Sequence, residues 1–175
     1  SNHRPAVLCG IVASHGSTPR GAGAKMLVLE DGRAIGTIGG GAVEYHAARL
    51  ASELLERKES RFETYLLSAG EIADIGMICG GDVRVYFQYF DPADRAAMET
   101  LENALTLLDA PGPSWLVTTM EAAGWGMGTY DAKNGLRGLE ISTGRLSPLL
   151  GKRGVLDEGG TPLFAEPLTP AGTVF

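Results

Sequence analysis

Cys79 stands in Gly76-Met77-Ile78-Cys79-Gly80-Gly81, a thiol with little neighbouring side-chain bulk over its sulfur. Such a thiol suits a soft-metal ligand or a nucleophile, whereas the commoner fate of a lone cysteine is to act as a small buried hydrophobe. Near the start, Gly16-Ser17-Thr18-Pro19-Arg20-Gly21-Ala22-Gly23-Ala24-Lys25 gathers two hydroxyls, a guanidinium fork and an ammonium within one loop. These groups bind anions when they converge and are plain solvated surface when they do not. Between the two lies Gly39-Gly40-Gly41-Ala42-Val43-Glu44. Its glycines let a ligand approach the backbone, and a helix starting there would offer unpaired N–H groups to a phosphate or pyrophosphate. The same residues can equally form a tight strand-to-helix turn in which Glu44 merely complements the helix N-terminus. The common nucleotide fingerprints do not fit. A GxGxxG match would need glycine where the chain has Glu44, and Gly16 to Gly21 lacks the Lys-Ser/Thr of a Walker A loop.

The elements that must position these stretches follow from periodicity. Ala6 to Ala13 is an apolar run ending in turn formers, which predicts a strand and then a loop. Lys25 to Leu29, Asp31-Gly32 and Arg33 to Ile38 predict a hairpin, with Asp-Gly suggesting a type I′ turn. Val43, Ala47, Leu50, Ala51, Leu54 and Leu55 recur at helical spacing, which predicts a helix over about 42–58. Arg61 to Leu67 reads as a strand. Asp82 to Phe90 alternates, with Val83, Val85, Phe87 and Tyr89 on the better-buried face. Asp91 and Pro92 supply an N-cap and first turn for a helix to Leu108, with Met98, Leu101, Leu105 and Leu108 as its core stripe. Strands are expected at Trp115 to Met120, near Trp125 to Tyr130 and at Leu163 to Glu166. The fold class expected is α/β: a mixed β-sheet with flanking helices in a single domain over 1–175.

Composition narrows the possibilities. A net charge of -6, with no block of Lys or Arg, argues against nucleic acid as a partner. No apolar stretch reaches the roughly 20 residues that span a bilayer, so no membrane association is expected. The two cysteines, Cys9 and Cys79, fit neither a zinc pattern nor a disulfide scaffold, which points to a reducing, cytoplasmic setting. Cys9, inside an apolar strand, reads as core.

The three glycine-punctuated stretches, in this order, carry a resemblance. GSTPRGAGAKMLV (Gly16 to Val28), GTIGGGAVE (Gly36 to Glu44) and GMICGGDVRVYFQYF (Gly76 to Phe90) closely resemble the XdhC/CoxI family, most specifically over Ala6 to Phe90. The resemblance implies an accessory protein rather than a catalyst. Such a protein binds molybdenum cofactor, assists its sulfuration or protection, and hands it to a molybdenum hydroxylase such as xanthine dehydrogenase. It also implies a site made of Ser17, Arg20, Lys25, Gly39, Gly40, Gly41, Glu44, Cys79, Gly80 and Gly81, with Cys79 facing molybdenum or its sulfur ligand. A cysteine desulfurase is a further partner the resemblance brings in, and a homodimer is compatible with it. Two alternatives stay open: a sulfur-transfer or nucleotide-acting enzyme with Cys79 as nucleophile, and a module that docks on a hydroxylase without touching cofactor. The chain departs from the family pattern at Ala42 and Ile78, where many relatives carry cysteine. Longer relatives continue into a Rossmann-like C-terminal domain, which is expected to be lacking here.

Overall fold

The structure is a computed structural model and describes residues 4–67, 81–121, 124–150, 152 and 155–168. These residues gather into two compact units. One runs to Pro92 and includes Gly124; the other holds Ala93–Glu121 and the described residues from Trp125 onward.

The first unit contains β1 (Ala6–His15), β2 (Lys25–Leu29), β3 (Ala34–Gly36), α1 (Gly41–Arg57), β4 (Arg61–Leu66) and β5 (Asp82–Phe90). Its sheet has the order β3-β2-β1-β5-β4, and every adjacent pair is antiparallel. Alternation sends Val7, Cys9, Ile11, Met26, Val28, Val83, Val85 and Phe87 to one face, where Val43, Ala47, Ala51 and Leu54 of α1 cover them. The helical stripe expected from the sequence is the stripe that packs, with Leu50 and Leu55 at its margin. A bulge between Ile11 and Ala13 interrupts the β1–β5 register near the end of β1, just before the loop that carries Ser17 and Arg20.

The β2–β3 hairpin forms as expected, but its turn is not type I′. That turn needs two positive φ angles, and here only Gly32 has one, at 79°. The Gly32 N–H instead donates to the Leu29 carbonyl and the Leu29 N–H to the Arg33 carbonyl, giving a three-residue loop with the glycine in the left-handed position. The Asp31 carboxylate fastens this loop by accepting from the Arg33 backbone N–H at 3.1 Å and from its Nε at 2.8 Å.

The second unit is built from α2 (Arg95–Leu108), β6 (Ser114–Glu121), β7 (Gly124–Asp131, whose first residue falls with the first unit), β8 (Gly135–Arg137), α3 (Thr143–Leu146), β9 (Val155–Asp157) and β10 (Leu163–Pro167). Its sheet has the order β8-β7-β6-β10-β9. Trp115, Val117, Leu146, Leu149, Leu163 and Ala165 form its core. Arg145 ties α3 to β9 through a forked contact of Nε and Nη2 with Asp157 Oδ2, at 3.0 and 2.7 Å.

The α/β class with flanking helices is borne out. Within it, two antiparallel sheets stand where one mixed sheet was expected. Parallel neighbours need a crossover between adjacent strands. The long helix α1 instead joins β3 to β4, the two opposite edges of its sheet.

The start and inner face of α2 also differ from expectation. Its N-cap is Asp94, whose Oδ1 accepts from the Ala97 N–H at 3.1 Å, so the helix begins three residues after Pro92. Its buried side chains are Ala97, Thr100 and Ala104, whereas Leu105 is 64% exposed. Small side chains let the helix lie close on its sheet: Thr100 Oγ1 is 3.5 Å from the Met127 carbonyl, and Asn103 Nδ2 donates to Thr129 Oγ1 at 2.5 Å. Close approach decides the face, and Leu105 and Leu108 are left outside. Asp94→Ala removes a side-chain cap and is expected to destabilise the second unit by about 1 kcal/mol, read from the midpoint of urea unfolding followed by tryptophan fluorescence. Both tryptophans, Trp115 and Trp125, belong to that unit. An unchanged midpoint would rule out Asp94 as the cap.

Candidate functional site

Gly39, Gly40 and Gly41 carry φ values of 132°, 76° and 62°, a run of left-handed backbone that side chains rarely tolerate. This run turns the chain from β3 into α1. Glu44, in the first turn of the helix, reaches back into it. Its Oε2 accepts from Thr37 Oγ1 at 2.5 Å, from the Ile38 N–H at 3.1 Å and from the Gly40 N–H at 3.1 Å. Thr37 Oγ1 in turn accepts from the Gly39 N–H at 3.1 Å. The Thr37 hydroxyl and the backbone donors around the carboxylate hold Glu44 below the usual carboxylate range, against the opposing effect of burial. Of the two roles the sequence allows Glu44, the structure has it complementing the turn and helix start. Gly40, the N-cap of α1, has no side chain with which to cap the N–H groups of Gly41, Ala42 and Val43 that begin the helix.

The loop between β1 and β2 lies against this turn. A Cβ built on Gly39 would sit 3.3 Å from Pro19 Cβ and 3.8 Å from Arg20 Cγ, so the first and second glycine-rich stretches are in contact. Arg20 and Ser17 are exposed there. The third stretch reaches the same loop. A Cβ on Gly81 would overlap the His15 carbonyl oxygen and lie 2.7 Å from the Ser17 carbonyl oxygen. The Gly81 carbonyl accepts from the Leu67 N–H at 2.8 Å. One residue on, His15 Nδ1 and Asp82 Oδ2 meet at 3.2 Å across the last rung of the β1–β5 ladder. Cys79 and Gly80 lie outside the described residues.

The Lys25 backbone adjoins the glycine turn, its carbonyl accepting from the Thr37 N–H at 2.9 Å, but its ammonium lies elsewhere. Lys25 pairs with Gly10 in the β1–β2 ladder, and its Nζ lies 3.9 Å from where a Gly10 Cβ would be. Gly10 alternates with the core residues Cys9 and Ile11, so the ammonium sits on the sheet face away from α1. Arg20, rather than Lys25, is the cation beside Gly39.

Three participants were not singled out from sequence: Thr37, His15 and Asp82. Thr37 could have been found, since a hydroxyl just before a glycine run, seven residues ahead of a glutamate, can bridge a turn to a helix. The His15–Asp82 pair joins residues 67 apart, and only the strand register brings them together. Cys9 is fully buried, and burial pushes its thiol up to about 12, in keeping with a core residue. Among the described residues, no group of three or more His, Cys, Asp or Glu could hold a metal ion. Nor is any helix long and apolar enough to cross a membrane.

The fold and site together define an α/β protein in which glycine-rich loops are drawn to one end of an antiparallel sheet. Residues 1–66 match the model of the XdhC and CoxI family. A protein of Escherichia coli (strain K12), named Uncharacterized protein YqeB, is 37% identical over 82 residues, covering 47% of this chain and 15% of that one. A crystal structure titled as a xanthine dehydrogenase (BH1974) from Bacillus halodurans is similar with a TM-score of 0.73 and 22% identity. The similarity covers 97% of this chain and 50% of that chain, so the chain spans half the length of this solved relative. At that identity the likeness concerns the fold, and it extends through both units.

Proposed function

We propose that this chain serves as an accessory protein to a molybdenum hydroxylase of the xanthine dehydrogenase type, and that it binds molybdenum cofactor as cargo. The observation that carries the reading is the meeting of the glycine-rich stretches: Gly39 against Pro19 and Arg20, and Gly81 against His15 and Ser17. Stretches that the motif order singles out thus lie next to one another, the first two of them within the family match.

The described residues fit the phosphate end of such a cargo. A helix start whose N-cap Gly40 has no side chain, and an exposed Arg20 whose Cγ lies against Gly39, favour an anion. Cys79 and Gly80, adjoining Gly81 in sequence, would supply the thiol for the soft metal or its sulfur. In this reading the residues hold, orient and release the cargo. Hand-over to the hydroxylase, help with sulfuration from a cysteine desulfurase, a cytoplasmic setting and a dimer matching the partner's symmetry belong to the same proposal.

The test is an anaerobic titration of the chain with isolated molybdenum cofactor, followed by the cofactor's absorbance after gel filtration. Wild type is expected to bind saturably, and Arg20→Ala to weaken binding about tenfold through loss of one charge-assisted contact. Unchanged binding in both Arg20→Ala and Cys79→Ala would sink the assignment of the site.

A further inference from the structure

In the sheet of the first unit β4 is an edge strand: β5 lies on one side of it, and on the other there is no strand among the described residues. The Leu67 N–H donates to the Gly81 carbonyl at 2.8 Å, one rung beyond the Leu66–Asp82 pair. Antiparallel ladders alternate bonded and non-bonded pairs, so Arg61, Glu63, Tyr65 and Leu67 turn their main-chain groups toward β5. Phe62, Thr64 and Leu66 turn theirs outward. Thr64 is exposed, and Leu66 is 54% exposed although it is a large apolar side chain. An edge that offers aligned donors and acceptors beside such a side chain is a template for another strand.

We infer that β4 is a dimer edge, pairing antiparallel with β4 of a second copy about a two-fold axis at Thr64. The strand is self-complementary in that register. Thr64 faces its own copy, Phe62 faces Leu66 and Leu66 faces Phe62, so all three outward residues exchange main-chain bonds. The exposed Leu66 then meets the Phe62 ring, which Tyr86 and the Arg84 guanidinium already hold at 4.7 and 4.3 Å from its centroid. The neighbouring registers are poorer. One step shorter sets Glu63 across from its own copy at a closely spaced rung, where like charges repel. One step longer leaves Phe62 without a partner. The pairing deepens the dimer named in the proposed function and rests on that reading only for its purpose.

The experiment is sedimentation equilibrium of the full chain across concentration. Wild type is expected to dimerise with a dissociation constant on the order of tens of micromolar, because one strand edge is smaller than the roughly 1,600 Å² of a standard interface. Thr64→Pro removes an N–H that makes no bond to β5, so the fold should survive while association weakens at least about tenfold. Leu66→Lys, at an exposed position, should weaken association similarly. Register is read by mild oxidation in a Cys79→Ala background, where the remaining native thiol, Cys9, is buried. Thr64→Cys should cross-link to its own copy, since directly opposite Cα atoms lie about 5.5 Å apart. Leu66→Cys should not, since its two copies stand four residues out of step, roughly 13 Å along the strand. A wild-type chain that stays monomeric at high concentration, association indifferent to both Thr64→Pro and Leu66→Lys, or equal cross-linking at 64 and 66 would overturn the inference. Should Thr64→Pro not fold, Leu66→Lys and the two cysteine variants still decide. No cofactor enters these measurements, so their failure leaves the cargo reading standing, and a failed cofactor titration leaves the edge pairing standing.

Discussion

Replacing Gly81 by alanine is expected to cost the first unit about 3 kcal/mol, the largest effect of any single methyl group added at the candidate site. The new Cβ would overlap the His15 carbonyl oxygen, lie 2.7 Å from the Ser17 carbonyl oxygen and lie 3.1 Å from the Ser17 N–H. These are backbone atoms at the end of β1, and they cannot swing aside as a long side chain can. The expected loss comes from this close approach. Gly124→Ala makes a control, because a Cβ there meets nothing within 4 Å. Urea unfolding followed by far-ultraviolet circular dichroism should show a markedly lowered midpoint for Gly81→Ala and little change for Gly124→Ala. Equal midpoints would mean that the third glycine-rich stretch does not seat against the first, and the convergence on which the cargo reading rests would be gone.

Phe87→Ala should destabilise the same unit by about 3 to 5 kcal/mol. Phe87 is fully buried on β5, the strand that pairs with both β1 and β4. In the ladder it stands between Cys9 and Arg61, in the cluster that α1 covers. Truncation removes a ring from a core of Val, Ile, Met and Leu side chains that can close over the void only in part. Phe87→Leu retains most of the apolar volume and should lose only about 1.5 kcal/mol. Comparable small losses in the two variants would contradict the placing of this residue at the centre of the core.

The uneven legibility of the fold has a physical pattern. β2 and β5 begin and end where the sequence indicates, because alternation and bounding turn residues act within a few positions. The stripe of α1 was readable for the same reason: its apolar residues are large enough that burying them decides the face. The face of α2 was not readable. Hydrophobicity points to Met98, Leu101, Leu105 and Leu108, but the sheet beneath admits a helix only at close range, so Ala97, Thr100 and Ala104 turn inward. An exposed leucine costs little, and a clash with a neighbouring backbone costs more.

At the candidate site, the glycine triplet and its neighbours were visible as residues but not as geometry. That Glu44 would serve the turn, that Arg20 would lie beside Gly39 and that Lys25 would project from the opposite sheet face are all consequences of strand register and bulges. A slip of one residue in β2 would carry Lys25 to the core side. Such facts are collective properties of the sheet, and no local window contains them.

The burial of Cys9 makes the first unit self-reporting. A thiol with no exposed surface and a pKa raised to about 12 reacts with alkylating reagents only when the strand that holds it opens. Its rate of labelling is thus a clock for excursions of β1 out of the sheet, while the fluorescence of Trp115 and Trp125 follows the second unit. Two native signals, one chemical and one optical, can time the opening of each half of the chain separately without introducing a single foreign probe.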